Sequence, residues 1–350
     1  MTIDKKMLLT SQHRVAILLH EGIRGTHGKT GLAFLRYGKN PVVAVIDADC
    51  AGQSLAALTK IDRDIPIVKN VSEALSFHPD VLLIGIAPSG GVLPQAWWEE
   101  VKQAIIAGVS IVNGLHTPIA PQFDFLKPGQ WIWDIRQEPP GLMIAKARAR
   151  SLSSRRLLTV GTDMSVGKMS TSLELDRAAQ KRGIKSKFLA TGQGGIMISG
   201  EGIALDAIRV DFAAGAVEQM VLKWGNDYDL LWIEGQGSLV HPGSTATLPL
   251  IRGTQPTDLI LVHRAGQKHI NNVPEIIIPP LSQVVQLYNQ IASVYGTFGE
   301  VKVKAIALNT FHLDLEAAHK AIAQVEEETG LPCTDVVRFG ADLLLDQILN

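Results

Sequence analysis

Gly161 and Gly167 bracket the segment Thr162-Asp163-Met164-Ser165-Val166, and Lys168 follows at once. An apolar run, Leu157 to Val160, stands before the segment and a helical pattern, Lys168 to Arg182, after it, which predicts strand, loop and helix in succession. That layout suits phosphate binding. A helix N-terminus carries unpaired N–H groups and the positive end of its dipole, and a loop through Thr162 and Ser165 can turn its amides toward an anion that Lys168 neutralises. Two departures from the common pattern of Gly, four residues, Gly-Lys-[Ser/Thr] stand out. The loop is one residue longer, because Thr162 stands where the first glycine would be, and Met169 replaces the hydroxyl that normally binds Mg²⁺. Ser170 and Thr171 come next, so either Ser170 takes the metal from a shifted helix start, or Mg²⁺ is held otherwise or not at all.

A second strand, Asp229 to Glu234, ends in an acid followed by Gly235-Gln-Gly. An acid at such a strand end can reach the metal on bound phosphates, which makes Glu234 a candidate metal ligand and catalytic carboxylate, with capping of the next helix as its structural alternative. Gly235 lets the following backbone approach a ligand closely. Asp163 can serve as metal ligand, base or substrate contact, or simply bond its own loop. His241 can bring a general acid or base, or be structural. Gln193, in the glycine-rich stretch after the strand Lys185 to Ala190, is a candidate substrate contact or a turn residue. Asn309, at another strand end, can read a purine edge or make a turn. Arg264 and Lys268 lie with His269 in a stretch that is either a lid over an anionic substrate or a solvated loop.

A competing glycine loop occurs near the N-terminus, Gly22-Ile-Arg-Gly-Thr-His-Gly28-Lys29-Thr30, and by its letters it is the better match. Its acidic neighbourhood, Asp47 to Gly52, resembles a ribose-binding strand end more than a magnesium carboxylate. It ranks second, as a small-anion site or inter-domain contact using Arg24 and Lys29. Ala87 to Gly91 is a further glycine-rich strand end of that region.

Short apolar runs alternate with helical patterns along all 350 residues, which predicts parallel sheets covered on both faces. The expected organisation is α/β throughout, with a Rossmann-like domain over 1–150 and a doubly wound P-loop NTPase-like domain over 151–350. The stretch Gln137 to Ser154, with a basic helix-like Ala145 to Arg150, reads as the connector. In the second domain the expected helices include Asp211 to Lys223, Leu281 to Tyr295 and Leu313 to Thr329, and the last strand is Thr334 to Arg338. A net charge of −1 without basic runs argues against nucleic-acid or membrane-surface partners. Cys50 and Cys333 lack metal or disulfide spacing, and the ten histidines form no HxxxH pair. The polar start and the short apolar run Val15 to Leu19 do not form a signal peptide, so a soluble, cytoplasmic chain is expected.

Gly161-Thr-Asp-Met-Ser-Val-Gly-Lys168 resembles the loop of dethiobiotin synthetases, and Glu234-Gly-Gln-Gly237 resembles their Glu-Gly-Ala-Gly. Taken with Gly-Lys-Met-Ser-Thr, Ser238-Leu-Val-His-Pro242 and the N-terminal Lys29-Thr30 and Ile46 to Gly52 segments, the whole chain is similar to a two-domain P-loop family that includes the DgcN-type D-glutamate N-acetyltransferases. The resemblance implies transfer of an acetyl group from acetyl-CoA to the amine of a D-amino acid, with the loop holding CoA phosphates and His241 and the N–H groups of Gly235 to Gly237 as candidate base and oxyanion donors. Two other functions compete: an ATP- and Mg²⁺-dependent kinase or ligase on a small carboxylate, and a non-catalytic nucleotide sensor. In each case the partner is a small molecule, and a homo-oligomer is expected.

Overall fold

The computed structural model describes residues 9–25, 27–88, 92–294 and 297–350. Thr26 of the N-terminal glycine loop, Ser89 to Gly91 of the glycine-rich strand end, and Tyr295 at the expected helix end lie outside the described residues. The chain divides into two compact units, Met1–Gln137 with Gln193–Ala204, and Glu138–Gly192 with Leu205–Asn350.

In the first unit, chain order runs β1 (Val15–Leu18), α1 (Lys29–Tyr37), β2 (Val42–Ile46), α2 (Leu55–Thr59), β3 (Ile67–Val68), α3 (Val71–Leu75), β4 (Val81–Ile84), α4 (Gln95–Ala107), β5 (Ser110–Asn113) and β6 (Ile132–Asp134). The strands pair in parallel in the order β3-β2-β1-β4-β5-β6, the Rossmann order. β1, β4 and β5 are buried along their whole length, as strands covered on both faces must be.

The second unit begins with β7 (Arg155–Gly161), α5 (Lys168–Lys181) and β8 (Ser186–Leu189). The chain then forms α6 (Gln193–Ser199), which belongs to the first unit, and there packs on α1. It resumes in the second unit with α7 (Val210–Trp224), β9 (Leu230–Ile233), α8 (Thr247–Thr254), β10 (Asp258–Arg264), a hairpin of β11 (His269–Ile270) and β12 (Val273–Ile277), α9 (Leu281–Ala292), β13 (Val303–Asn309), α10 (Leu315–Thr329), β14 (Cys333–Thr334) and α11 (Asp342–Leu349). Its six-stranded sheet is parallel in the order β14-β13-β10-β7-β9-β8. β7 is central, and the loops after β7, β9 and β10 leave the same sheet end, where ligands gather in open α/β sheets. Beneath them lies a core of Leu157, Val166, Leu175, Trp232, Val262 and Leu344, so the phosphate-loop candidate is anchored by its own Val166. Buried Trp232 donates from Nε1 to Ser186 Oγ at 2.8 Å, and that hydroxyl donates to Asp176 Oδ1 at 2.6 Å, so the polar atoms of this indole and hydroxyl are paired.

Several expectations are corrected. The last strand stops at Thr334 because Asp335, a buried carboxylate, accepts from the N–H groups of Val337 and Arg338 at 3.0 and 3.1 Å and turns the chain. The units divide at Gln137, ahead of residue 150, and the segment read as a connector is packed structure of the second unit. Its helix-like part forms a single 3₁₀ turn, Arg148–Ser151. Fully buried Glu218 of α7 holds it, accepting from the N–H groups of Lys146 and Arg148 at 3.0 and 2.7 Å and from Arg148 Nε at 2.9 Å. Among the described residues no helix is long and apolar enough to cross a membrane.

Replacing Glu218 by Ala strands two backbone donors and half-exposed Arg148. The expected loss is about 2–3 kcal/mol in denaturant unfolding, and a change under about 0.5 kcal/mol would refute the strap's role.

Candidate functional site

Gly161 to Lys168 forms the predicted loop between β7 and α5. Ser165 lies at φ 57° and Gly167 at φ 121°, a conformation that favours glycine, and α5 starts at Lys168 with no side-chain cap on its N-terminal amides. Lys168 is buried, and its Nζ donates to the Asp163 carbonyl at 2.7 Å. Gly235 is where it is because a Cβ there would stand 1.7 Å from the Thr159 carbonyl and 3.0 Å from Lys168 Cδ. Only glycine lets the strand end after β9 cross β7 and leave room for the lysine stem.

Each polar loop residue is fixed by the chain. Thr162 Oγ1 shares a 2.8 Å hydrogen bond with His263 Nδ1, and burial brings that histidine down to about 4, so it is neutral at physiological pH. Fully buried Asp163 accepts from Met164 N–H at 2.6 Å, Gln267 Nε2 at 2.6 Å and Asn271 N–H at 2.7 Å. Its carboxylate thus ties the loop to the β11–β12 hairpin. Arg264 Nη2 donates to the Ser165 carbonyl at 3.1 Å. Asn309 Nδ2 donates to the Val166 carbonyl at 3.0 Å, and its Oδ1 accepts from Phe311 N–H at 3.2 Å, which spends the amide meant to read a purine. Thr171 is buried in the first turn of α5, while Met169 and Ser170 are half-buried.

Glu234 Oε2 accepts from the N–H groups of Thr191 and Gly192 at 2.9 and 3.1 Å, and Gln236 adds a side-chain hydrogen bond. The carboxylate therefore ends the β8 loop much as a cap would. Mg²⁺ at this position would compete with those donors; Met169 offers no side-chain oxygen while half-buried Ser170 carries a hydroxyl, and among the described residues no group of three or more His, Cys, Asp and Glu could hold a metal.

Other candidates are placed differently. His241 Nδ1 accepts from Gly243 N–H at 3.0 Å, which puts the neutral ring's proton on Nε2, 3.9 Å from Asp163 Oδ1. Its lone pair is taken, so it is unsuited to act as a base in this arrangement. Gly235 N–H donates to Thr159 Oγ1 at 2.9 Å, removing it from the oxyanion donors. Gln193 lies in the first unit, where a Cβ on Gly114 would meet its Cβ and Cγ at 3.3 Å. Lys268 is exposed on the hairpin, where its carbonyl accepts from Ile278 N–H at 2.9 Å.

The N-terminal glycine loop is closed on itself. A Cβ on Gly28 would stand 2.1 Å from the Gly22 carbonyl, Gly31 N–H in the first turn of α1 donates to the Gly85 carbonyl at 2.8 Å, and Ile23 N–H reaches Asp47 Oδ2 at 3.4 Å. Arg24 donates to Gln53 Oε1 at 2.7 Å. Ile23 N–H, Gly31 N–H and Arg24 are thus engaged by the protein.

Sequence reasoning missed Tyr288. This buried α9 side chain donates to the Gly161 carbonyl at 2.7 Å and accepts from Leu239 N–H at 3.1 Å, joining the loops after β7 and β9. An aromatic at helical spacing reads as core and gives no other signal. The hairpin residues Gln267 and Asn271 were also missed, although Asn271-Asn272, with Asn272 at φ 64°, is a recognisable turn signal.

Burial dominates the electrostatics. It lowers Lys168 to about 8, against the pull of Asp163 and Glu234, and raises Glu234 to about 7, against the Thr191 and Gly192 N–H groups, Gln236 and Lys168. Both groups therefore change charge near neutrality. Folded Glu234 binds its proton up to about pH 7 and the unfolded carboxyl only to 4.5, so its contribution to stability is greatest below 4.5 and falls as pH rises to 7. Folded Lys168 releases its proton near 8 and the unfolded amine near 10.5, so stability recovers between those values. Glu234→Gln should remove the fall between pH 5 and 7 in urea-denaturation midpoints; an equal fall in both proteins would contradict the assignment.

Comparison with known proteins follows this geometry. Residues 143–345 match a family model described as the P-loop domain of a domain of unknown function, DUF1611, and residues 48–138 match its N-terminal Rossmann-like domain. A D-glutamate N-acetyltransferase from Tritonibacter scottomollicae is 37% identical over 284 residues, covering 79% of this chain and 84% of that protein. One from a Pseudoalteromonas species is 35% identical over 284 residues, 79% of this chain and 83% of its own. A crystal structure of a DUF1611 family protein from Anabaena variabilis superposes with a TM-score of 0.93 at 63% identity, covering 97% of this chain and 99% of that one. On these matches, with the two sheets described above, the chain belongs to the DUF1611 family, as a Rossmann-like unit followed by a P-loop domain.

Proposed function

We propose that this protein transfers the acetyl group of acetyl-CoA to the amine of D-glutamate or a related D-amino acid. The observation that carries the reading is the 37% identity, over 79% of the chain, to a D-glutamate N-acetyltransferase. The loop fits the role: CoA presents a pyrophosphate and a ribose phosphate, and the uncapped amides of α5 with Lys168 offer donors to such an anion. Met169 supports it too. Losing the metal hydroxyl would harm phosphoryl transfer, which depends on Mg²⁺, and leaves acyl transfer untouched.

In acyl transfer the amine nitrogen bonds to the thioester carbonyl carbon, the C–S bond breaks, and the sulfur leaves as a thiol. The amine arrives as an ammonium, so a base must first take a proton. Burial raises the Glu234 carboxyl to about 7, where a base works best at physiological pH. Asp163 is tied through both oxygens to its own loop and to the β11–β12 hairpin, and His241 has its lone pair on Gly243 N–H.

Acetyl-CoA should raise the melting temperature of the purified protein, and Lys168→Ala should abolish the shift. A shift seen only with ATP and Mg²⁺, together with ADP formation on a small carboxylate, would replace this reading by the second one, an ATP-dependent ligase or kinase. What favours that alternative is the pair of carboxylates, Asp163 and Glu234, whose charges act on Lys168.

With D-glutamate as acceptor, kcat/KM should climb with pH to a plateau above about 7, as Glu234 ionises. Glu234→Gln should cost about a hundredfold or more in kcat. A wild-type pH profile without that limb, or a variant with full activity, would remove Glu234 as the base.

A further inference from the structure

Phe311 follows β13 and leaves its ring 69% exposed, beside a phosphate loop whose other residues are pinned. An aromatic ring in water is an unused apolar surface, and the backbone that carries this one is held in place. Asn309 grips the Val166 carbonyl with its Nδ2 at 3.0 Å and the Phe311 N–H with its Oδ1 at 3.2 Å, so a single amide joins the phosphate loop to the backbone of the exposed residue. Arg264 makes a second tie. Its Nη2 donates to the Ser165 carbonyl at 3.1 Å while its guanidinium carbon lies 5.7 Å from the centre of the Phe311 ring. On the other side of the backbone, buried Thr310 donates to Asp335 Oδ2 from both N–H and Oγ1, at 2.8 and 2.6 Å. The main chain is thus anchored on both sides, and the ring, with Arg264 at 5.7 Å and the His312 ring edge-on at 5.4 Å, stays mostly open to solvent.

We propose that Phe311 is the stacking platform for the adenine ring of the ligand whose phosphates the Gly161–Lys168 loop binds, an inference that rests on reading the loop as a nucleotide-phosphate site. Adenine is common to CoA and ATP, so the platform serves either one. A flat heteroaromatic ring can cover the exposed face of Phe311, and the Arg264 guanidinium adds a cation beside both π systems. Recognition through stacking needs no hydrogen-bond reader. That agrees with Asn309, which has both ends of its amide committed to the protein and acts as the positioning residue for the platform.

The test is calorimetric titration of the full chain, wild type, Phe311→Ala and Phe311→Trp, with acetyl-CoA, with ATP and Mg²⁺, and with inorganic pyrophosphate, which carries no base. Because the side chain is exposed, all three proteins should melt alike. Phe311→Ala should weaken the adenine-bearing ligand about five- to a hundredfold and leave pyrophosphate unchanged, and Phe311→Trp should restore binding with quenching of the new indole. Equal affinity of wild type and Phe311→Ala for the adenine-bearing ligand, an equal loss for pyrophosphate, or no binding of either nucleotide to wild type would each overturn the proposal. Phe311-dependent binding of ATP without binding of acetyl-CoA would uphold the platform while the acetyltransferase reading fell.

Discussion

An ammonium taken out of water keeps its charge only if oxygen atoms replace the water, and the second unit is built around that requirement at Lys168. The Asp163 carbonyl supplies a direct acceptor, Asp163 and Glu234 supply negative charge, and Gly235 clears the space through which the lysine stem passes. Each of those groups needs its own support. Asp163 draws donors from the β11–β12 hairpin, Glu234 draws them from the end of β8, and Tyr288 fixes the two strand ends that frame the lysine. The loops around the sheet's C-terminal end are therefore mutually dependent through buried polar bonds, in addition to the apolar anchor of Val166.

Polar side chains of this site mostly act on backbone. Thr162, Asp163, Asn309 and Arg264 hold loops in place, which leaves the uncapped amides of α5 and the pair of groups that titrate near neutrality to meet a ligand. A site fixed in this way loses little freedom on binding, the condition for precise placement of reacting atoms.

Much of this was legible in the sequence because strand, glycine loop and helix follow one another locally. β7, the loop and α5 needed only periodicity and two glycines, and the acid ending β9 followed from the same reasoning. The N-terminal loop, the better match by its letters, ranks second on its acidic neighbourhood alone, because letters carry no information on whether backbone donors are engaged. Gly31 N–H goes to the Gly85 carbonyl, which is distant in sequence. Of the two tasks open to Asn309 at its strand end, the bond it accepts from Phe311 N–H is the turn, while its tie to the Val166 carbonyl follows from packing and has no signal in the letters. Glu218 and Tyr288 could not be recognised at all, because a buried acid and a buried phenol look like any other helical residue until the loops they hold are in place.

The α6 excursion has a consequence for how the chain is made and inherited. The family's P-loop match runs unbroken over residues 143–345, yet residues 193–204 inside it are part of the Rossmann-like unit. On the ribosome the first unit cannot lay α6 on α1 until β7, α5 and β8 have been synthesised, so completion of the N-terminal unit waits on the emergence of its neighbour. A recombination event at Gln137 would leave the N-terminal half without α6, while the C-terminal half would keep every element of its own unit. The dependence runs one way: the Rossmann-like unit needs a segment carried within the P-loop domain's stretch of chain, although each sheet has the strand order of a free-standing domain.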